Sequence, residues 1–315
     1  MDILDLIEQN ANSLPEVTAR GVTAAIRHIR RAEKHFNDAR ELQDRELLND
    51  VVYRTNQAFE GMLKEAYRAL LSKDPTKVSS YQIEEEFSEG GVLARRVRVL
   101  FANYRQDWRN PATHDHTMTF SDQEALIAIM SVSTFAAVLL DQITEVVSAK
   151  TEQEATRQER GVLSDELDSY ENLSFRDQVI SLVELFLDSR MRQREEMPSI
   201  REVEIIGRLA GFVSAMDEAI VVQEQAEHDN AQPDLLLRKE DEISLIEVVK
   251  GRRTRTLTIF ARDRVDELLS CYQSSHAVVV FVPDSPDGDY YRDEIAGKSG
   301  RSIMVISPSR WDREY

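Results

Sequence analysis

The chain has almost no thiol chemistry. Its one cysteine, Cys271, excludes an internal disulfide and a cysteine-based zinc cage; because it lies within an amphipathic pattern, it is expected in the core. No run of apolar residues is long enough to cross a bilayer, so no membrane partner is expected. The start, Met1-Asp2-Ile3-Leu4-Asp5, lacks the basic region of a signal peptide, and a cytoplasmic location is the expectation. Positive charge is also short. Thirty-nine Lys and Arg face 57 Asp and Glu, a net charge of -18. Both halves are acidic, with 18 basic against 23 acidic side chains in residues 1–150 and 21 against 34 in the remainder. Steering of nucleic acid by the whole molecule is excluded, and any such contact must come from local basic patches.

At 315 residues the chain exceeds the usual single core, which predicts two domains. Val22, Ile26, Ile29, Phe36, Ala39 and Leu42 recur at helical spacing over residues 20–46, and Val52, Phe59, Leu63, Ala66 and Leu70 over 49–72. After a polar stretch, Gly90-Gly91 opens a third helix through Val92, Val97, Leu100 and Tyr104. Ser121 with Glu124 forms a capping box for a fourth, over 122–148. Residues 1–150 therefore read as an all-α bundle. Residues 151–172, dense in charge and poor in apolar anchors, read as a linker, partly helical.

From 173 to 315 the period changes. Helices are expected over 175–191 and 200–217. Short β-rich runs follow at Ala219–Val222, Asp234–Leu237, Ile243–Val249, Ala277–Val282 and Ser302–Ile306, with a helix over Thr256–Gln273. The fold class is α followed by α/β with a mixed sheet.

The most informative segment is Tyr104-Arg105-Gln106-Asp107-Trp108-Arg109-Asn110-Pro111-Ala112-Thr113-His114, between two helical stretches. Arginine is permanently charged and forked to fit phosphate oxygens, and histidine trades a proton near neutrality. Pro111 breaks the helix at this corner. The pattern Arg-Asn-x-x-x-His resembles the signature of the HEPN superfamily, many of whose members are RNases of toxin and antiviral systems. The resemblance implies that Arg109 binds phosphate, His114 transfers protons and Asn110 orients either, with no metal. It also implies a homodimer in which two motifs line one cleft. Glu60 sits where many relatives carry a polar residue facing the motif, and His116 is a second histidine near the corner. For both, solvent exposure is the plainer reading.

A second motif lies in the strands. Pro233-Asp234-Leu235-Leu236-Leu237, a turn, and Ile243-Ser244-Leu245-Ile246-Glu247-Val248-Val249-Lys250 resemble the PD-(D/E)xK fold of restriction endonucleases. That resemblance implies Asp234 and Glu247 as ligands of a divalent cation, usually magnesium, and Lys250 as the catalytic base or electrostatic helper. Glu204 or Glu218 is the candidate third ligand. The spacing departs from the family. Glu and Lys should stand two apart on one strand face, but Lys250 is three after Glu247, so only a β-bulge at Val248-Val249 would restore it.

Basic clusters flank both motifs. Arg95, Arg96, Arg98 and Arg105 lead into the first, and Arg252, Arg253 and Arg255 follow the second; Arg105, Arg252, Arg253 and Arg255 are candidate phosphate contacts, on RNA or DNA. The favoured reading is a metal-independent RNase effector of a prokaryotic defence or toxin system, acting as a homodimer, with a C-terminal nucleic-acid-binding or sensing module and a restraining protein partner. Two other readings stay open: a magnesium-dependent nuclease carried on a dimerising helical domain, and a non-catalytic assembly protein.

Overall fold

Positions 16 to 42 repeat small and branched apolar residues on one stripe, and Val22, Ala25, Ile26, Ile29 and Ala32 are buried along helix α2 (Glu16–Leu42). Gln43, in the left-handed conformation at φ 54°, ends that helix, and Ser72, at φ 55°, ends α3 (Glu46–Leu71). The loop between them is short, so α3 doubles back along α2. The computed structural model describes residues 2–110, 119–165, 167, 170–191, 200–224, 232–283, 289–297 and 300–308. The chain divides into two units, Met1–Val147 and Ser148–Tyr315.

The first unit adds α1 (Ile3–Ala11), α4 (Ser80–Glu89) and α5 (Arg95–Tyr104), then a π-helical turn over Arg105–Arg109. Its core centres on Phe59, whose ring stacks on Tyr104 at 4.6 Å and Phe101 at 5.8 Å and packs obliquely on Phe135 at 4.9 Å. Neither α1 nor α4 was expected, although α1 buries Leu4, Ile7 and Ala11 on one stripe and α4 buries Ile83 and Phe87 one turn apart. A local device makes α4: Ser79 and Gln82 form a reciprocal capping box at its start.

Helix α6 (Asp122–Asp165) runs 44 residues without a break, so residues 151–165 of the segment read as a partly helical linker are helical and continue the preceding helix. The reason lies in their partners. Glu152 and Thr156 are buried, and Glu152 and Glu159 both pair with Arg190, at 2.6 and 2.8 Å. α6 also corrects the expectation that no stretch is apolar enough to cross a bilayer. One 18-residue window has a mean hydropathy of 1.9, with 56% of it buried. Val132, Phe135, Leu139, Leu140 and Ile143 of this helix belong to the core of the first unit.

The second unit contains α7 (Phe175–Phe186), α8 (Glu202–Met216), β1 (Val221–Glu224), β2 (Leu235–Lys239), β3 (Glu242–Lys250), α9 (Arg255–Cys271), β4 (His276–Val282), β5 (Tyr291–Ala296) and β6 (Ser302–Ser307). The sheet order is β1-β2-β3-β4-β6-β5; β3–β4 and β4–β6 are parallel and the other pairs antiparallel. β4 is buried at every position, as a central parallel strand with both faces covered must be. Ile246, Val248, Val278 and Val280 face the α7–α8 side, while Leu245, Val279 and Phe281 face α9. β5, unexpected from its polar sequence, is a half-buried edge strand. Cys271, expected in the core, is only partly buried at the end of α9.

Gly211 on α8 gives a direct test of this packing. A Cβ there would meet the carbonyl oxygen of Ala149 at 2.1 Å and the amide of Gln153 at 3.0 Å, both backbone atoms. Gly211→Ala is expected to destabilise the second unit by about 1–3 kcal/mol, since backbone cannot swing aside as a side-chain tip can. Chemical denaturation checks it; an unchanged midpoint would refute this approach of α8 to α6.

Candidate functional site

Tyr104 anchors the first site. Its ring is buried beside Phe59, and its hydroxyl hydrogen-bonds Asn56 Oδ1 on α3 at 3.1 Å. The helix then widens: the Asn110 amide donates to the Arg105 carbonyl five residues back, the π-helical register. Such turns re-aim side chains and are common at functional sites. Here the turn carries Arg105 and Arg109 toward acidic side chains of α3 and α4.

Arg109 is committed to two carboxylates. Its Nε meets Glu84 Oε1 at 3.3 Å, and its Nη2 meets Glu60 Oε1 at 3.2 Å. Glu84 also receives Arg105, whose Nε lies 3.3 Å from Oε2, while Arg105 Nη1 donates to Ser88 at 2.8 Å. Glu60 accepts from the Ser80 hydroxyl at 3.2 Å. The Glu84 side chain is only 4% exposed. Burial raises its pKa, and the guanidinium groups of Arg109 and Arg105 oppose that rise.

Asn110 is exposed at the end of the turn. His114 and His116 lie outside the described residues. Beyond them Phe120 donates its amide to Asn49 Oδ1 on α3 at 3.2 Å, and its ring packs against Trp108. A groove of about 350 Å³ flanks the turn, lined in part by Asp107, Trp108, Ile127 and Met130. Glu84 was missed; the Ser79–Gln82 capping box is the signal that could have pointed to the helix that contains it.

In the second unit, Leu235 pairs with Ile246, and one step further along the antiparallel register sets Asp234 opposite Glu247. Both lie on the face covered by α9. Asp234 Oδ2 accepts the Val248 amide at 2.7 Å, and Glu202 of α8 accepts the Lys250 amide at 3.0 Å. These carboxylates thus satisfy two β3 amides beyond the end of the β2 ladder. Glu247 Oε2 pairs with Arg264 of α9 at 2.9 Å, and its buried Oε1 has no hydrogen-bond partner among the described residues. Burial raises the pKa of both carboxyls; for Glu247 the neighbouring Asp234 adds to the rise and Arg264 opposes it, and for Asp234 the Val248 amide and Arg264 oppose it while Glu202 adds to it.

Lys250 does not join them. β3 pairs with β4 in unbroken register from Ser244–His276 to Lys250–Val282, so that ladder carries no bulge at Val248-Val249. Three residues from Glu247, Lys250 falls on the opposite face. Nor do the proposed third ligands: Glu204 is buried against Arg201 at 3.7 Å, and Glu218 pairs with Arg160 at 3.2 Å. Glu202 is the helical carboxylate nearest the pair's hydrogen-bonding edge. Among the described residues no group of three His, Cys, Asp or Glu side chains is arranged to hold a metal ion. The two facing carboxylates suit a cation, but the rest of a catalytic magnesium set does not fit: a guanidinium occupies Glu247, and the lysine is on the other face.

The basic run after β3 divides. The Arg253 side chain is 3% exposed and is spent on Asp293, Thr258 and Ser307, so it is not available to phosphate. Arg252 and Arg255 are exposed, and so is Phe260 of α9, at 68%. Sequence reasoning missed Arg264, which stands beside the buried stripe Ala261, Val265 and Leu268 and so reaches the rim of the sheet. No family model, no curated protein and no solved structure matches the chain.

Proposed function

We propose that the chain is a metal-independent endoribonuclease of the HEPN type, acting as a homodimer, with the restriction-endonuclease-like second unit serving as a nucleic-acid-binding or sensing module. The observation that carries this reading is the arginine pair on a π-helical turn, held by a buried carboxylate immediately before the Asn110-to-His114 segment. Burying charge is costly unless it is paired, and such networks cluster at sites of chemistry. Cleavage of RNA needs a base to take the 2′-hydroxyl proton, positive charge on the crowded phosphorane, and an acid to protonate the departing 5′-oxygen. The 2′-oxygen bonds to phosphorus as the bond to the 5′-oxygen breaks. His114 serves the proton transfers, Arg109 the phosphate, and Asn110 orients them.

Dimerisation supplies a second histidine to a single cleft. Beside the groove at Trp108, α6 leaves Leu126, Ile127 and Met130 at 43, 42 and 60% exposure, an apolar face suited to another copy of the same helix. In the second unit Arg252 and Arg255 meet phosphate, with Phe260 as a stacking surface. Such an enzyme needs restraint in the cell, which a protein partner supplies.

The proposal is tested by incubating the whole protein with single-stranded RNA in excess EDTA. Cleavage at the rate seen with magnesium is expected. Activity that vanishes with chelation would reject a metal-free mechanism.

A further inference from the structure

Two carboxylates hold Arg109, and they differ in kind. Glu84 is buried and shared with Arg105; Glu60 has 31% of its side chain exposed and, among the described residues, a single serine hydroxyl behind it. A buried carboxylate between two guanidinium groups is costly to separate from either, because the charge left behind cannot reach water. A partly exposed ion pair exchanges readily. We propose that the two act in opposite directions: Glu84 fixes the guanidinium, and Glu60 occupies Nη2 as an exchangeable anion that an RNA phosphate must displace.

The inference rests on the reading that Arg109 binds a phosphodiester. On that reading Glu60 is a built-in competitor. It lowers affinity for isolated phosphates and leaves binding to substrates whose other contacts offset the exchange. Glu84 is a positioning residue, since it acts through Arg109 and Arg105. The site is closed to adventitious anions by the same ion pair that keeps Arg109 ordered. A purely structural role for both carboxylates predicts that removing either charge weakens binding or does nothing; competition predicts opposite signs.

The experiment uses the full chain and a fluorescent 2′-O-methyl RNA oligonucleotide, which lacks the attacking hydroxyl, with affinity read by anisotropy and folding by thermal melting. Glu60→Gln is expected to bind about two- to fivefold more tightly, the range of an exposed ion pair removed from competition. Glu84→Gln is expected to bind on the order of tenfold more weakly or worse. If Glu84→Gln melts early, Glu84→Asp, which keeps the charge but withdraws it from both guanidinium groups, replaces it, and weaker binding at normal melting temperature is expected. Arg109→Ala is the control. If it binds as the wild type does, the phosphate-binding reading fails and the inference with it. If Arg109→Ala weakens binding while Glu60→Gln fails to tighten it, or if the Glu84 variants tighten it, the reading survives and the opposition of roles is overturned.

Discussion

His114→Ala is expected to lower cleavage of single-stranded RNA in EDTA by on the order of a hundred- to ten-thousand-fold, with no change in melting temperature. The magnitude follows from what the mechanism asks of the residue. Phosphate binding and charge stabilisation remain with Arg109, held by Glu60 and Glu84, but the proton on the 2′-hydroxyl has no acceptor. RNA affinity should therefore change little while the maximal rate collapses. Arg109→Ala should do more, weakening binding as well as turnover, because one guanidinium serves both. Mixing the two inactive variants gives a further check on the paired site: if a cleft draws on two chains, the mixed dimer carries an intact histidine and an intact arginine and regains part of the activity. Equal cleavage by wild type and His114→Ala would remove the assignment.

Much of the frame of this site was legible from residues. The period of Val22, Ile26 and Ile29 along α2, and of Phe59, Leu63 and Ala66 along α3, is set by burial on one stripe, which sequence records directly. The Arg109 corner was visible because proline and a new capping box punctuate it. Glu84 was not, since α4 is short and offers only Ile83 and Phe87 as apolar anchors, while the burial of the carboxylate between them depends on Arg105 and Arg109 arriving from a distant turn. The π-helical turn is likewise invisible: it depends on how Tyr104 is seated under Phe59, a contact between residues 45 apart in the chain. In the second unit, strand parity correctly warned that Lys250 and Glu247 could not share a face. Arg264 escaped notice because its role depends on α9 lying over β3, which is tertiary information. Arg253 shows the opposite failure, as a run of basic residues reads as surface until Asp293 on an edge strand takes one of them inside.

The Asp234–Glu247 pair gives the second large effect, a dependence of stability on pH. Burial raises both carboxyls above their ordinary range, so the folded chain binds protons that the unfolded chain has released. Stability contributed by the protonated pair is complete below about pH 4, where unfolded carboxyls titrate, and falls as pH rises through the elevated folded values. Glu247→Gln removes the charge that must be buried. It also frees Arg264, but with 57% of its side chain exposed that guanidinium turns to water at small cost. The variant is therefore expected to be more stable than wild type by about 1–3 kcal/mol near pH 8, with the difference shrinking toward pH 5. Melting temperatures across that interval measure it, and parallel pH profiles for the two proteins would refute the buried-charge account. Magnesium provides the deciding arm. With Arg264 on Glu247 and Lys250 on the far face, added magnesium should leave the wild-type melting temperature unchanged. A magnesium-induced rise abolished by Asp234→Asn would show that the cation displaces Arg264 and takes both carboxylates. Magnesium-dependent cleavage lost in Asp234→Ala yet kept in His114→Ala would move the chemistry from the arginine pair of the first unit to the strands of the second.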